Sequence, residues 1–265
     1  TAIKKLNKNR APGPDNINGE FIKLDEPDLI RNIYKIIIKV WKTEQLPKEW
    51  EEGLICPIHK KGDPLECRNH RGITLLNSIY KVFSNTLNER LKPHVAKVIG
   101  NYQCGFRTGK STINQIHTLR QILEKTKEYS VDTYHLFVDF EAAYDCINRE
   151  KLFMAMEEFG IPLKLISLTK ATFYKVKCQI KLRNGSTTAF LTNRGLRQGD
   201  ALACTLFNIA LEKVIRDAEI DIRGTIYYRS VQILAYADDI DIVGRSTKAV
   251  KETFMNLEKA AQNIG

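Results

Sequence analysis

Three aspartates in the second half of the chain stand where strands run out. Leu136, Val138 and Phe140 alternate with His135, Phe137 and Asp139, which predicts a strand apolar on both faces and therefore central in its sheet, with Asp139 at its end. Further on, Val231–Ala237 and Ile240–Val243 read as two strands separated only by Asp238-Asp239. Aspartate tolerates turn geometry, so this pair also satisfies a plain hairpin. A turn alone does not account for the second acid beside the first, nor for Asp241, which shares a pleat face with Asp239. A carboxylate on a buried strand is costly, and like charges this close repel unless a cation lies between them. A hard divalent ion, Mg²⁺ above all, suits such oxygen donors. If Asp139 and Asp238 meet across adjacent strands, they can hold two ions about 3.5–4 Å apart, the arrangement that activates an attacking oxygen and stabilises a leaving oxygen in phosphoryl transfer.

The elements that must position these acids follow from hydrophobic period and turn residues. Ala11-Pro12-Gly13-Pro14-Asp15 forbids a helix near the start. Leu29, Ile33, Ile36, Ile37, Val40 and Trp41 recur at helical spacing over residues 27–42, and Pro47 closes that neighbourhood. Trp50 to Ile58 fits a strand, followed by the basic turn Lys60-Lys61-Gly62-Asp63-Pro64. Helices are expected over residues 73–91 and 113–129. After the strand that leads to Asp139, Asn148 offers an N-cap for a helix carrying Leu152, Phe153, Met156 and Phe159, which Gly160 and Pro162 stop. Strands around 177–182 and 189–192 are joined by Asn184-Gly185, and Asp200 caps a helix running to about Ala218. The pattern predicts an α+β protein of two lobes with a border near residue 130.

Composition sets bounds. With 43% hydrophobic residues, the 265-residue chain can bury a sizeable core, which excludes a disordered protein. The net charge of +10 is spread along the chain, so a broad basic surface and a polyanionic partner are expected rather than a basic tail. The sequence shows neither a membrane-length apolar run nor a signal-peptide pattern. The six cysteines lie far apart with no C-x-x-C pair, which points to a reducing, intracellular compartment.

Three strings then follow one another in order: FVDFEAAYD (Phe137–Asp145), LRQGDALACTLFN (Leu196–Asn208) and YADD (Tyr236–Asp239). Together they resemble motifs A, B and C of reverse transcriptases, and the middle one resembles the non-LTR retrotransposon type, especially insect elements. RAPGPDNI from Arg10, PIHKKGD at Pro57–Asp63, HRGITLLN at His70–Asn77 and QCGFRTGKST at Gln103–Thr112 agree with that family. The resemblance implies a right-hand polymerase fold, with residues 1–130 as a fingers region including an N-terminal extension, and 131–265 as a palm whose antiparallel sheet packs on helices. It implies RNA-directed DNA polymerisation: a DNA primer extended with dNTPs on an RNA template, with two Mg²⁺ ions, or Mn²⁺ in their place.

The same resemblance assigns roles. Asp139 and Asp238 would coordinate the metals, with Asp239 completing the cluster and the Phe140 carbonyl assisting. Tyr144 would lie under the incoming sugar and exclude a 2′-hydroxyl. Gln198 and Gly199 would line the nascent base pair. Arg71 and Lys60 or Lys61 would hold the triphosphate, and Gln103 and Arg107 would touch template or nucleotide. Arg197, beside Gln198, is read separately as a nucleic-acid contact. Plainer readings stand beside these: Tyr144 as a half-buried core residue, Lys60-Lys61 as a solvated turn, Arg197 as a surface cation. Cys56-x-x-His59 and Cys67-x-x-His70 could form a Cys₂His₂ zinc site, for which the family offers no role.

The chain is expected to be an excerpt that stops before motif D, the primer grip and the thumb, and no endonuclease segment is visible. Leu202-Ala203-Cys204 departs from the more widespread Leu-Ser-Pro after motif B. No stable protein partner and no membrane association are expected, and the location would be nucleus and cytoplasm if the parent element is active. Two rivals remain. One is an RNA-synthesising polymerase, against which the aromatic ring at Tyr144 argues. The other is a domesticated, inactive polymerase fold serving as an RNA-binding scaffold, which the presence of all three acids disfavours.

Overall fold

The computed structural model describes residues 2–24, 26–220 and 231–265. Its helices are α1 (Gly19–Ile22), α2 (Pro27–Thr43), α3 (Ser78–Val98), α4 (Thr112–Glu128), α5 (Ala143–Cys146), α6 (Arg149–Glu158), α7 (Leu163–Thr172), α8 (Ala201–Asp217) and α9 (Thr247–Ile264). The strands are β1 (Glu52–His59), β2 (His70–Leu75), β3 (Tyr134–Val138), β4 (Lys177–Leu182), β5 (Gly185–Ser186), β6 (Phe190–Leu191), β7 (Val231–Tyr236) and β8 (Asp239–Gly244). The protein is α+β, as its pattern predicts. It divides into two compact units, each drawing on two stretches of chain: Thr1–Pro93 with Met156–Ala203, and His94–Ala155 with Cys204–Gly265. Residue 130, the expected border, lies inside the second unit between α4 and β3.

In the first unit a mixed sheet runs β2-β1-β4-β5, with β6 also paired to β4. β1 is antiparallel to β2, with His59 opposite His70, and parallel to β4, with Gly53 opposite Cys178. Trp50 enters from the turn before β1 and meets Tyr80 edge-on at 5.8 Å and Phe83 at 5.6 Å. The apolar stripe of α2 docks through Ile33, which buries with Leu6, Ile22 and Val82. Residues 73–75, expected within a helix, form the end of β2 instead. Their cross-strand partners on β1, Leu54 to Cys56, lie some twenty residues back, beyond what helical spacing can report. α3 begins at Ser78 and continues through Pro93 to Val98. α6 ends at Glu158, ahead of the expected stop at Gly160 and Pro162, and Pro162 is also the N-cap of α7, a helix outside the sequence expectation that buries Leu165, Ile166 and Leu168.

In the second unit an antiparallel sheet runs β3-β8-β7. β3 is therefore an edge strand, not the central one expected, and Phe137 on it is 75% exposed. The apolar alternation marks the strand, but apolar residues on both faces do not make it central here, because only β8 pairs with it. β8, buried from Ile240 to Gly244, holds the centre. α4 packs on β7 and α9 on β8 and β3, with Ile122, Leu234 and Val243 closing a small core. Asn148 accepts the Lys151 N–H at the start of α6, as its N-cap reading requires. Among the described residues no helix is long and apolar enough to cross a membrane.

Candidate active site

β7 and β8 pair as far as Tyr236 opposite Asp239, which leaves Ala237 and Asp238 as the hairpin loop. Ala237 sits at φ 57°, in the left-handed region that costs a residue with a Cβ about 1–2 kcal/mol. The segment after α3 lies against this turn. Cys104 N–H donates to the Ala235 carbonyl at 2.9 Å, and Ala235 N–H donates to the Tyr102 carbonyl at 2.9 Å. Gln103 Nε2 donates to the Ala237 carbonyl at 3.0 Å, while its Oε1 accepts the N–H groups of Ala237 at 2.8 Å and Gly105 at 2.6 Å. Gly105 is close-packed: a Cβ there would fall 2.1 Å from the Ala237 nitrogen.

The acids collect at that end of the sheet. Asp139 follows β3 directly, Asp238 occupies the loop and Asp239 opens β8. Val138 pairs with Ile240, so the register brings Asp139 level with Asp239 one step on. Burial, then the neighbouring charges of Asp238 and Asp139, push the Asp239 carboxyl above the ordinary carboxylate range. Among the described residues no three His, Cys, Asp or Glu side chains converge closely enough to enclose an ion by themselves. The donor set, all carboxylate oxygens crowded by their own charge, fits a hard divalent ion such as Mg²⁺.

Asp241 does not belong to this open cluster. It is buried, and His135 Nδ1 lies 3.0 Å from its Oδ2 across the β3–β8 pair. Burial raises its carboxyl and His135 opposes the rise. Sequence reasoning did not single out His135; only the register, with Phe137 opposite Asp241, shows its proximity. Phe140 and Tyr144 follow Asp139, both half-buried, and the Tyr144 ring stacks on Phe207 of α8 with centroids 4.6 Å apart and planes 21° apart.

The remaining expected site residues divide between the two units. In the first, Lys60 and Lys61 are exposed in the β1–β2 loop and Arg71 is exposed on β2 opposite Ile58. The carbonyl of half-buried Gln198 accepts the Thr74 N–H at 2.7 Å. Gly199, at φ 110°, comes so near that a Cβ would lie 2.9 Å from the Thr74 carbonyl oxygen. Arg197, expected to touch nucleic acid, is 5% exposed; its guanidinium lies over the Tyr80 ring and Nη1 donates to the Trp50 carbonyl at 3.2 Å. In the second unit Gln103, also expected at the template, is 1% exposed with its amide committed to Ala237 and Gly105. Half-buried Arg107 donates from Nη1 to the carbonyls of Gly100 at 2.7 Å and Gln103 at 3.1 Å. All three side chains make hydrogen bonds within the protein. His59 and His70 come together at 5.4 Å, but their nitrogens bond the carbonyls of Gly62 and Glu66, and the Cys/His quartet forms no metal cage.

Residues 58–265 match the family model described as reverse transcriptase (RNA-dependent DNA polymerase). The chain belongs to the reverse transcriptase family. Relatives of this domain include the transposon TX1 149 kDa protein of Xenopus laevis, 24% identical over 92% of this chain and 19% of that protein. A probable RNA-directed DNA polymerase from transposon BS of Drosophila melanogaster is 27% identical over 78% of this chain and 23% of its own length. The chain thus spans about a fifth to a quarter of the length of these two relatives, which are transposon proteins of a frog and a fly. Among solved structures, apo telomerase from Candida tropicalis superposes with a TM-score of 0.63 at 13% identity, over 87% of this chain and 53% of that one. That likeness establishes a shared fold, and the strings in motif order are those of a reverse transcriptase domain.

Proposed function

We propose that this reverse transcriptase domain extends a DNA primer with dNTPs on an RNA template, with a fingers region over residues 1–130 and a palm over 131–265. One observation carries the reading: three carboxylates collect at the ends of adjacent strands, with burial and the charges of Asp238 and Asp139 raising Asp239, in a basic chain of this family. Asp139 and Asp238, with Asp239 and the Phe140 carbonyl, would hold two Mg²⁺ ions. When bound, such ions lower the barrier by stabilising charge on the attacking and leaving oxygens. The chain's own residues orient the partners. Tyr144 presents a ring fixed by Phe207 as the floor of the sugar site. Lys60, Lys61 and Arg71 offer exposed cations for the triphosphate. Half-buried Gln198 and exposed Gly199 would line the nascent base pair, the missing Cβ at Gly199 letting this turn close on the Thr74 carbonyl.

The deciding experiment is primer extension on an RNA template by the full-length protein. Asp139→Asn keeps the side-chain volume and removes the charge, and should lower single-turnover extension by several orders of magnitude with folding intact. Near-normal extension by that variant would refute the assignment.

A further inference from the structure

The turn that carries Asp238 is held by an uncharged amide. Both backbone groups of Ala237 bond one side chain, Gln103, whose oxygen takes the N–H and whose nitrogen gives to the carbonyl. Ala237 is in the left-handed region, where a residue with a Cβ stays only if its surroundings over-determine it. The surroundings here are the Gln103 amide and a strand-like segment, 102–105, bridged parallel to β7 at Gln103 and Ala235. Gln115 reinforces that seam, its Nε2 donating to the Tyr102 carbonyl at 2.6 Å and the Ala235 carbonyl at 2.8 Å. The segment is anchored behind by the buried Glu212, which accepts from Gly100 N–H at 2.9 Å, the Tyr102 hydroxyl at 2.7 Å and Arg216 Nε at 2.8 Å. A neutral clamp has a physical advantage at this place. It fixes the turn without adding a cation that would neutralise the carboxylates.

We propose that Gln103 is a positioning residue: its carboxamide, seated by Gly105, sets the turn at Ala237 and so fixes where Asp238 and Asp239 stand for a divalent ion. This rests on reading the acids as the metal site. It departs from the template or nucleotide contact expected of Gln103, because at 1% exposure its amide is already spent on the turn.

The test measures Mn²⁺ binding by electron paramagnetic resonance of the free ion, together with hydrogen exchange across residues 234–242, without nucleotide or template. The proteins are the wild type, Gln103→Met, Gly105→Ala, Asp139→Asn and, as a control for general destabilisation, Leu257→Ala in the core face of α9. Gln103→Met and Gly105→Ala should speed exchange in 234–242 and weaken Mn²⁺ binding by about tenfold, as loss of an outer-shell partner does. Leu257→Ala should lower the melting temperature at least as far yet bind Mn²⁺ like the wild type. Unchanged affinity in Gln103→Met, or an equal loss in Leu257→Ala, would overturn the proposal; if Gly105→Ala does not fold, Gln103→Met decides alone. Wild-type binding that Asp139→Asn does not abolish would instead defeat the metal reading itself, and the positioning role with it.

Discussion

If Tyr144 floors the sugar site as proposed, its packing bears on substrate choice. Its ring is neither free on the surface nor lost in the core, because the stack on Phe207 holds one face while the residue stays half-buried. A ring fixed in that way can act as a barrier to a 2′-hydroxyl, which would lose water against it without gaining a partner. Tyr144→Ala should therefore raise ribonucleotide use relative to dNTPs on the order of a hundredfold, and Tyr144→Phe should leave discrimination intact. Competition between matched ribo- and deoxynucleotides in single-turnover extension measures both. Equal loss of the two substrates in the alanine variant would make Tyr144 a packing residue.

Asp239 supports a different expectation at the same scale. Its carboxyl is raised by burial and by Asp238 and Asp139, so its ionised form is disfavoured in the folded chain. The stabilising contribution of such a group is complete below the unfolded carboxylate pKa of about 3.9 and is lost as pH rises through the folded value. In a metal-free buffer at neutral pH, Asp239→Asn should then melt higher than the wild type, and acidification through the carboxylate range should close the gap. Added Mg²⁺ should raise the melting temperature of the wild type more than that of the variant. A variant that melts lower in chelator at neutral pH would contradict this account of the cluster.

At the scale of elements, the start of α8 is tied to α3 by one buried pair. The Tyr80 hydroxyl donates to Asp200 Oδ2 at 2.5 Å, while Asp200 Oδ1 accepts the Leu202 N–H at 3.1 Å and so caps the helix. Burial first, then the Asp200 charge, pushes the Tyr80 hydroxyl well above its ordinary range, which keeps it a neutral donor. Tyr80→Phe preserves the ring that meets Trp50 and Arg197 but strands a buried carboxylate oxygen. The expected cost is about 1–3 kcal/mol, read as a lower midpoint in urea with an unchanged slope. An unchanged midpoint would mean that Asp200 finds another donor.

For the whole molecule, a net charge of +10 with exposed lysines and arginines predicts how template is held. Binding of an RNA template-primer should tolerate sequence and weaken steeply with salt, with a log–log slope of several units as counterions are displaced. Fluorescence anisotropy across a range of KCl concentrations gives that slope directly. A flat plot would assign the basic surface to something other than a phosphate backbone.

Local chemistry in the sequence was enough to find the motifs and most elements. The stripe of α2, the cap at Asn148 and the hairpin at the acids all depend on neighbours within a few residues, where period and turn preference act. The hairpin loop is nonetheless Ala237-Asp238, one residue earlier than the expected Asp238-Asp239, because Asp239 of β8 pairs with Tyr236. What the sequence left open was pairing at a distance. Whether residues 73–75 are helix or strand depends on β1, whether β3 is edge or centre depends on β8, and the partner of Asp241 depends on the β3–β8 register. Gln103 and Arg197 show the same limit: each is a polar residue inside a recognised motif, and residue type cannot tell whether a polar side chain faces a ligand or a buried carbonyl. Only the tertiary structure decides that, because a buried polar group must bond to whatever the fold places beside it.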